Sequence, residues 1–218
     1  MNSALDLSIT IQEHVMALTK ISDIRRRELR RAAVEVMKRE GAAGTTLEKV
    51  AQEAGASKGI VLHYFRNKQE LFEEAMREAN AGLRDDVVRR LKKARSPIER
   101  IWAIVEANLG EDVFKPPHGH AWLSLCAEAP REPQLARLQS IFHARMHSNL
   151  MSGFRSLVPH SQAERLSLSM SALIDGLWVR LGIGDRTMTS STATSLARDL
   201  LTNALPTIAI PDVTKCEQ

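Results

Sequence analysis

Three tryptophans, Trp102, Trp122 and Trp178, all lie beyond residue 100, and the same stretch carries Phe114, Phe142 and Phe154 with Glu111, Glu128 and Asp175. Aromatic faces attract cations through the ring quadrupole, and a cation that has no N–H to donate depends on such faces and on nearby carboxylates. Those residue types are ones that a site for an organic cation would use. The same rings could instead fill a core, with the carboxylates exposed or paired with arginines; for Trp178 a pocket wall and a subunit interface stay equally open.

A second chemistry sits earlier, in Ser57-Lys58-Gly59-Ile60-Val61-Leu62-His63-Tyr64-Phe65. If Val61 and Phe65, four apart, point inward on a helix, then Lys58, Gly59, Leu62 and His63 face out. A glycine near the start of a helix permits close approach to a groove, and side chains there reach base edges or phosphates. Backbone N–H groups at Thr46, Ser57 and Lys68 would add anion sites at helix starts. His143 and His147 are four apart and His118 and His120 are near neighbours, but structural zinc prefers thiolates and Cys126 is alone in that region, so no metal is expected. Gly182-Ile183-Gly184 follows no strand and reads as a helix end. No nucleophile elbow, phosphate loop or carboxylate constellation marks an enzyme, and no cofactor is called for.

Helices must position these groups. Residues 1–20 have no cap and no clean periodicity and are expected to be a mobile arm, with structure starting near Ser22. Leu29, Ala32, Ala33, Val36 and Met37 recur at helical spacing from Asp23 to Glu40, and Gly41 supplies a stop. Thr45 with Glu48 has the form of a capping box opening a short helix that ends at Gly55, and Ser57 caps another across the turn Ala54-Gly55-Ala56, a helix-turn-helix pattern. Asn67 with Glu70 opens a long helix to Lys93, and Ser96-Pro97-Ile98-Glu99 opens one to Leu109. Lys115 to Gly119 reads as a loop. Helices from His120 to Ala129, Glu132 to Val158, Ser161 to Gly182 (Ser161 with Glu164 as a capping box) and Ser191 to Leu205 complete an all-α chain of about nine helices. The expected division is a DNA-binding head at 21–68 and a ligand-binding and dimerisation body at 69–210.

Composition agrees with helices: of 218 residues only 11 are Gly and 8 Pro, and 44% are hydrophobic. Cys126 and Cys216 form no framework, no signal peptide or membrane-length run is present, and a reducing cytoplasm is the expected home. Residues 1–68 hold 12 Lys+Arg and 8 Asp+Glu, whereas the remainder holds 18 of each. A basic head on a neutral body fits a polyanion partner.

Thr45-Thr46, Val50-Ala51, Ala54-Gly55, Ser57-Lys58-Gly59 and His63-Tyr64-Phe65, with Lys68 and Leu71, resemble the TetR family of bacterial repressors over residues 24–76. That resemblance implies phosphate contacts from Thr46, Ser57, His63, Tyr64 and Lys68, base contacts from Lys58 and Gly59 and a further one at Leu62, double-stranded operator DNA as partner, and a homodimer through the last two helices. Met170, Leu173, Ile174, Leu177, Trp178 and Leu181 form a stripe broad enough to serve both a core and a second subunit. Asn108 with Glu111, Ala121-Trp122-Leu123, Arg137-Leu138-Gln139, Ser148-Asn149-Leu150, Phe154-Arg155, Pro159 and Ile174 to Arg180 are similar to the choline-responsive members of that family. This implies an inducer that is choline or a related quaternary amine, control of choline-to-glycine-betaine genes, and a pocket drawn from Trp102, Glu111, Phe114, Trp122, Glu128, Phe142, Asp175 and Trp178. A neutral lipophilic effector is the alternative, and would leave those carboxylates idle.

Overall fold

The computed structural model describes the backbone of residues 3–211 and the side chains of residues 20–211; Cys216 lies outside them. Among the described residues there are nine helices and no strand: α1 Ser3–Gly44, α2 Leu47–Glu53, α3 Lys58–Tyr64, α4 Lys68–Lys93, α5 Pro97–Leu109, α6 Pro116–Glu128, α7 Pro133–Phe154, α8 His160–Gly182 and α9 Ser190–Ala204. None of them is long and apolar enough to cross a membrane.

α1 does not begin near Ser22. Its backbone is helical from Ser3, because residues 3–22 contain neither Gly nor Pro and a helix once nucleated propagates through such a stretch. The expected stop at Gly41 is present as a kink, φ 68° and ψ 175°, after which residues 42–44 resume the helix on a new line. The α2 cap is Thr46, whose hydroxyl accepts from the Lys49 amide. Thr45 is fully buried instead and donates to the Gly41 carbonyl at 2.7 Å, so the capping box read one residue early. Asn67 and Ser96 cap α4 and α5 as expected, accepting from the amides of Glu70 and Glu99.

Two other boundaries need correction. Pro116-Pro117-His118-Gly119 is the first turn of α6 and not a loop; proline fits there because first-turn amides have no partner inside the helix. Ser161 and Glu164 form no capping box, since α8 starts at His160 behind Pro159 with no side-chain cap. α7 runs only to Phe154, with Leu157 and Val158 turning back onto its end through bonds to the Phe154 carbonyl.

Leu29, Ala33, Val36, Val50, Val61, Phe65, Leu71 and Ala75 form the core of the head, drawn from α1 to α4. The body core is centred on α5, of which nine residues are buried, as a helix enclosed on most sides must be. It is surrounded by α7, α8 and α9 through Leu150, Phe154, Met170, Ile174, Leu177, Ala197 and Leu201. A third cluster joins the two: Met37 and Ala42 of α1 and Phe72 and Met76 of α4 pack on Leu125, Ala129 and Leu135. Here the Gly41 backbone passes so close to α6 that a Cβ would lie 2.8 Å from Ser124 Oγ. α6 and α8 cross where Gly119 meets Gly182, each leaving no room for a side chain on the other.

The arginine cluster of α1 has a structural use. Arg30 Nε lies 2.6 Å from Glu78 and its Nη1 3.0 Å from Glu74, and Arg26 pairs with Glu74. Much of the positive excess counted in the head is therefore neutralised by α4.

Gly41→Ala is expected to lower stability by about 1–3 kcal/mol, the cost of forcing a Cβ into backbone space that is nearly glycine's alone. Gly82→Ala, in the middle of α4 with no atom within 4 Å of the new methyl, should instead raise it by about 0.5–1 kcal/mol. Urea unfolding midpoints of the two variants check both signs.

Candidate nucleic-acid interface and ligand cavity

α2 and α3 meet across Ala54-Gly55-Ala56, with Gly55 at φ 59°, and bury Val50, Ala51 and Val61 against α1 and α4. That packing fixes which face of α3 looks outward: Ser57, Lys58, Gly59, Leu62 and His63 are exposed, and Tyr64 is half-buried, edge-on to His63 at 5.0 Å. Ile60 is also exposed on this face; as an apolar residue in a polar segment it was not singled out from the sequence. Ser57 Oγ accepts from the Ile60 amide at 3.3 Å. Lys58 pairs with Glu48 of α2, and that bond holds the Glu48 carboxyl below its ordinary range. Thr46 is exposed at the start of α2.

Lys68 is placed differently from the others. Its ammonium donates to the Ala42 carbonyl at 2.9 Å and sits 4.9 Å from the centroid of Phe72, and burial pulls its pKa below the usual lysine value. It ties the start of α4 to the kinked end of α1.

In the body, a cavity of about 590 Å³ lies among α4, α5, α6, α7 and α8 and reaches the end of α1 at Met37 and Lys38. The structure brings five of the eight expected pocket residues into its wall: Glu111, Trp122, Phe142, Asp175 and Trp178. Trp122 and Phe142 lie with ring centroids 5.3 Å apart, and Phe114 stands edge-on behind Trp178 at 5.0 Å. Phe114 is thus a support for the wall and not part of it.

Two further expectations are not met. Trp102 is buried in the core, its ring already faced by the Arg198 guanidinium at 4.6 Å. Its indole N–H donates to Glu106 at 2.8 Å, so Trp102 holds in place a carboxylate that does line the cavity. Glu128 lies at the far end of α6, where its charge acts on Lys68, away from the cavity.

Asp86, Glu106, Asp112 and Asn80 belong to the wall without having been recognisable in the sequence, and Asn108 joins them there. Asn108 carried a signal: it is a polar residue in the apolar run of α5, and it is buried with its amide donating to the Ile104 carbonyl. Asp86 and Glu106 are both spent on Arg90, each at 3.0 Å.

Asp175 is different. Its Oδ2 is 3.2 Å from His143 Nε2, but Oδ1 is buried with no hydrogen-bond partner among the described residues. Burial pushes this carboxyl above its ordinary pKa, opposed by the neighbouring imidazole. A half-buried carboxylate with one unpartnered oxygen, sharing a cavity wall with Trp122, Phe142 and Trp178, can offer negative charge and π-faces to a cation in one place.

His118 and His120 do not converge: Nδ1 of the first meets the Val113 carbonyl at 2.7 Å, and Nδ1 of the second the Lys38 carbonyl at 3.3 Å.

Residues 97–206 match the C-terminal domain of BetI-type transcriptional repressors, and residues 29–75 match the bacterial regulatory proteins of the tetR family. The chain belongs to the TetR family. It is 38% identical over 189 residues to the HTH-type transcriptional regulator BetI of Escherichia coli K12, a match covering 86% of this chain and 97% of that protein. The same figures hold for BetI of Shigella flexneri serotype 5b. A transcriptional regulator from Pseudomonas aeruginosa PAO1 has the same fold, with TM-score 0.72 and 23% identity over 85% of this chain and 92% of that one. So does a regulator from Saccharomonospora viridis solved in complex with choline, with TM-score 0.70 and 22% identity over 81% and 94%. Family membership makes the chain a transcriptional regulator and not an enzyme.

The raised Asp175 pKa fixes a sign for stability. Over the interval between its unfolded and folded pKa values the folded chain binds more protons, so stability falls as pH rises through it. Asp175→Asn should therefore melt higher than the native chain at neutral pH, and the gap should close as pH is lowered through that interval. Thermal melts of both proteins across the acid range check this.

Proposed function

We propose that the chain is a repressor that binds operator DNA as a homodimer and releases it when choline or a closely related quaternary amine enters the body cavity, so controlling genes of choline-to-glycine-betaine conversion. The observation that carries the ligand reading is the meeting of Trp122, Phe142 and Trp178 with the unpartnered Asp175 oxygen in one cavity. The choline held by the Saccharomonospora viridis regulator and the BetI relatives support the same choice.

On the DNA side, Lys58 and Gly59 face the bases with Leu62 beside them, while Thr46, Ser57, His63 and Tyr64 position the head on phosphates. Lys68 acts in the same group through the backbone at the start of α4, with its ammonium held inside. A partner surface is offered by the outward face of α8, where Leu168, Ala172, Gly176, Val179 and Ile183 are exposed, with Leu196 of α9 beside them. These alternate with the core-facing Met170, Ile174, Leu177 and Leu181, so the broad stripe read from the sequence divides into an inner row and a different outer row. Two copies joined there would present two α3 helices to a near-palindromic site.

Calorimetry with choline and with its neutral carbon isostere tests the ligand. Choline should bind, and Trp178→Ala should weaken it by about 0.5–2 kcal/mol; equal binding of the isostere, or no heat from millimolar choline, would reject the cation site in favour of a neutral effector. Saturating choline should lower operator affinity, by a coupling of about 1–3 kcal/mol.

Lys58→Ala tests the DNA side separately. It should reduce discrimination between operator and scrambled DNA by about 1–3 kcal/mol if Lys58 makes a bidentate guanine contact. Equal losses on both DNAs in a binding titration would move Lys58 to the phosphates.

A further inference from the structure

A second cleft, about 260 Å³, lies on the other side of α4, between it and α7. Its lining includes Arg77 and Arg84 of α4, Arg145 of α7, and three asparagines, with no Asp or Glu. Arg77 and Arg84 are seven residues apart and share a face of α4. Glu73 is 3.7 Å from Arg77; Arg84 donates to Asp85 Oδ1 from Nε and Nη2 at 3.0 and 2.8 Å, but both side chains of that pair are solvent-exposed, a setting in which an ion pair holds its partners loosely. Arg145 makes no ion pair among the described residues. The floor is apolar, built from Leu83, Val87, Ile104, Leu138 and Met146, and Val88 and Ile141 stand exposed at the lip, 43% and 37% accessible.

We propose that this cleft binds an aliphatic carboxylate, its chain on the apolar floor and its head among the three guanidiniums. The charge decides the class. The larger cavity is lined by five carboxylates, Asp86, Glu106, Glu111, Asp112 and Asp175, against Lys38, Arg89 and Arg90, and suits a cation; the α4–α7 cleft has only positive charge and suits an anion. Planar guanidinium groups match a carboxylate in a two-point bond. The space equals roughly nine waters at ~30 Å³ each, which a medium-length chain fills and a bare anion does not. Exposed apolar side chains at the lip are what an amphiphile, and not a small ion, would cover.

The test is calorimetry on the full chain with octanoate, octanol and choline as separate titrants. Octanoate should bind saturably, octanol at least tenfold more weakly, and Arg145→Glu should weaken octanoate at least tenfold while leaving choline heat and helix content unchanged. Trp178→Ala should leave octanoate binding unaltered. Octanol binding as tightly as octanoate, octanoate failing to bind up to its solubility, or Arg145→Glu having no effect would each overturn the site. Because choline is titrated into the same samples, loss of the choline signal with octanoate retained strikes only the cation reading, and the reverse only this one.

Discussion

The seat of the kinked end of α1 on α6 is the contact through which head and body act as one object. Met37 and Ala42 reach it from α1 and Phe72 and Met76 from α4, all closing on Leu125, Ala129 and Leu135. Around that apolar patch the backbone carbonyls of the kink are used individually: Lys38 faces His120, Gly41 accepts from Thr45, and Ala42 accepts from Lys68. A buried carbonyl without a partner is costly, so the kink, the α6 start and the α4 start are mutually fixed. Close-packed interiors do not deform by degrees. A displacement of α6 would therefore bear on α1 and α4 together, and both pack against the helix-turn-helix.

Charge in the head has two separate tasks. Arg26 and Arg30 are held by Glu74 and Glu78 at the α1–α4 seam, where they fix the angle of the head; counting them as DNA-binding charge overstates that role. Lys58 is held only by Glu48, at a solvent-exposed site. An exposed pair in water holds its partners loosely, so the proposed exchange of that carboxylate for DNA by Lys58 would not disturb the fold. The distinction follows from which residues α4 supplies opposite each arginine, and the local sequence of α1 does not contain it.

What could be read from the sequence was whatever is decided within a few residues. Helical spacing, Ser57, Asn67 and Ser96 as caps, and Gly41 and Gly182 as ends are local matters, and the structure agrees on each. Thr45 and Thr46 present the same hydroxyl to a capping argument; only the burial of Thr45 against the Gly41 carbonyl separates them. Pro116 and Pro117 suit a loop and a helical first turn equally well, and the packing of Gly119 on Gly182 selects the helix. The cavity shows the same limit. Trp122, Phe142, Asp175 and Trp178 were recognisable by type, but Trp102 is drawn away by Arg198 and Glu106, residues 96 and 4 positions distant, only one of which is local.

α4 is the element on which the two ligand readings converge. Asn80 and Leu83 of α4, with Asn108 and Phe142, line both the acidic cavity and the arginine-lined cleft. Phe142 is also a member of the aromatic wall, packed on Trp122. Anything that moves this shared partition to suit one occupant changes the space offered to the other, and by linkage each then alters the affinity of the other by the same factor. The start of the same helix carries Phe72 and Met76 into the seat on α6. On these two readings, occupancy on either side of α4 would act on the head through that one helix, in a direction set by which arrangement each occupant prefers.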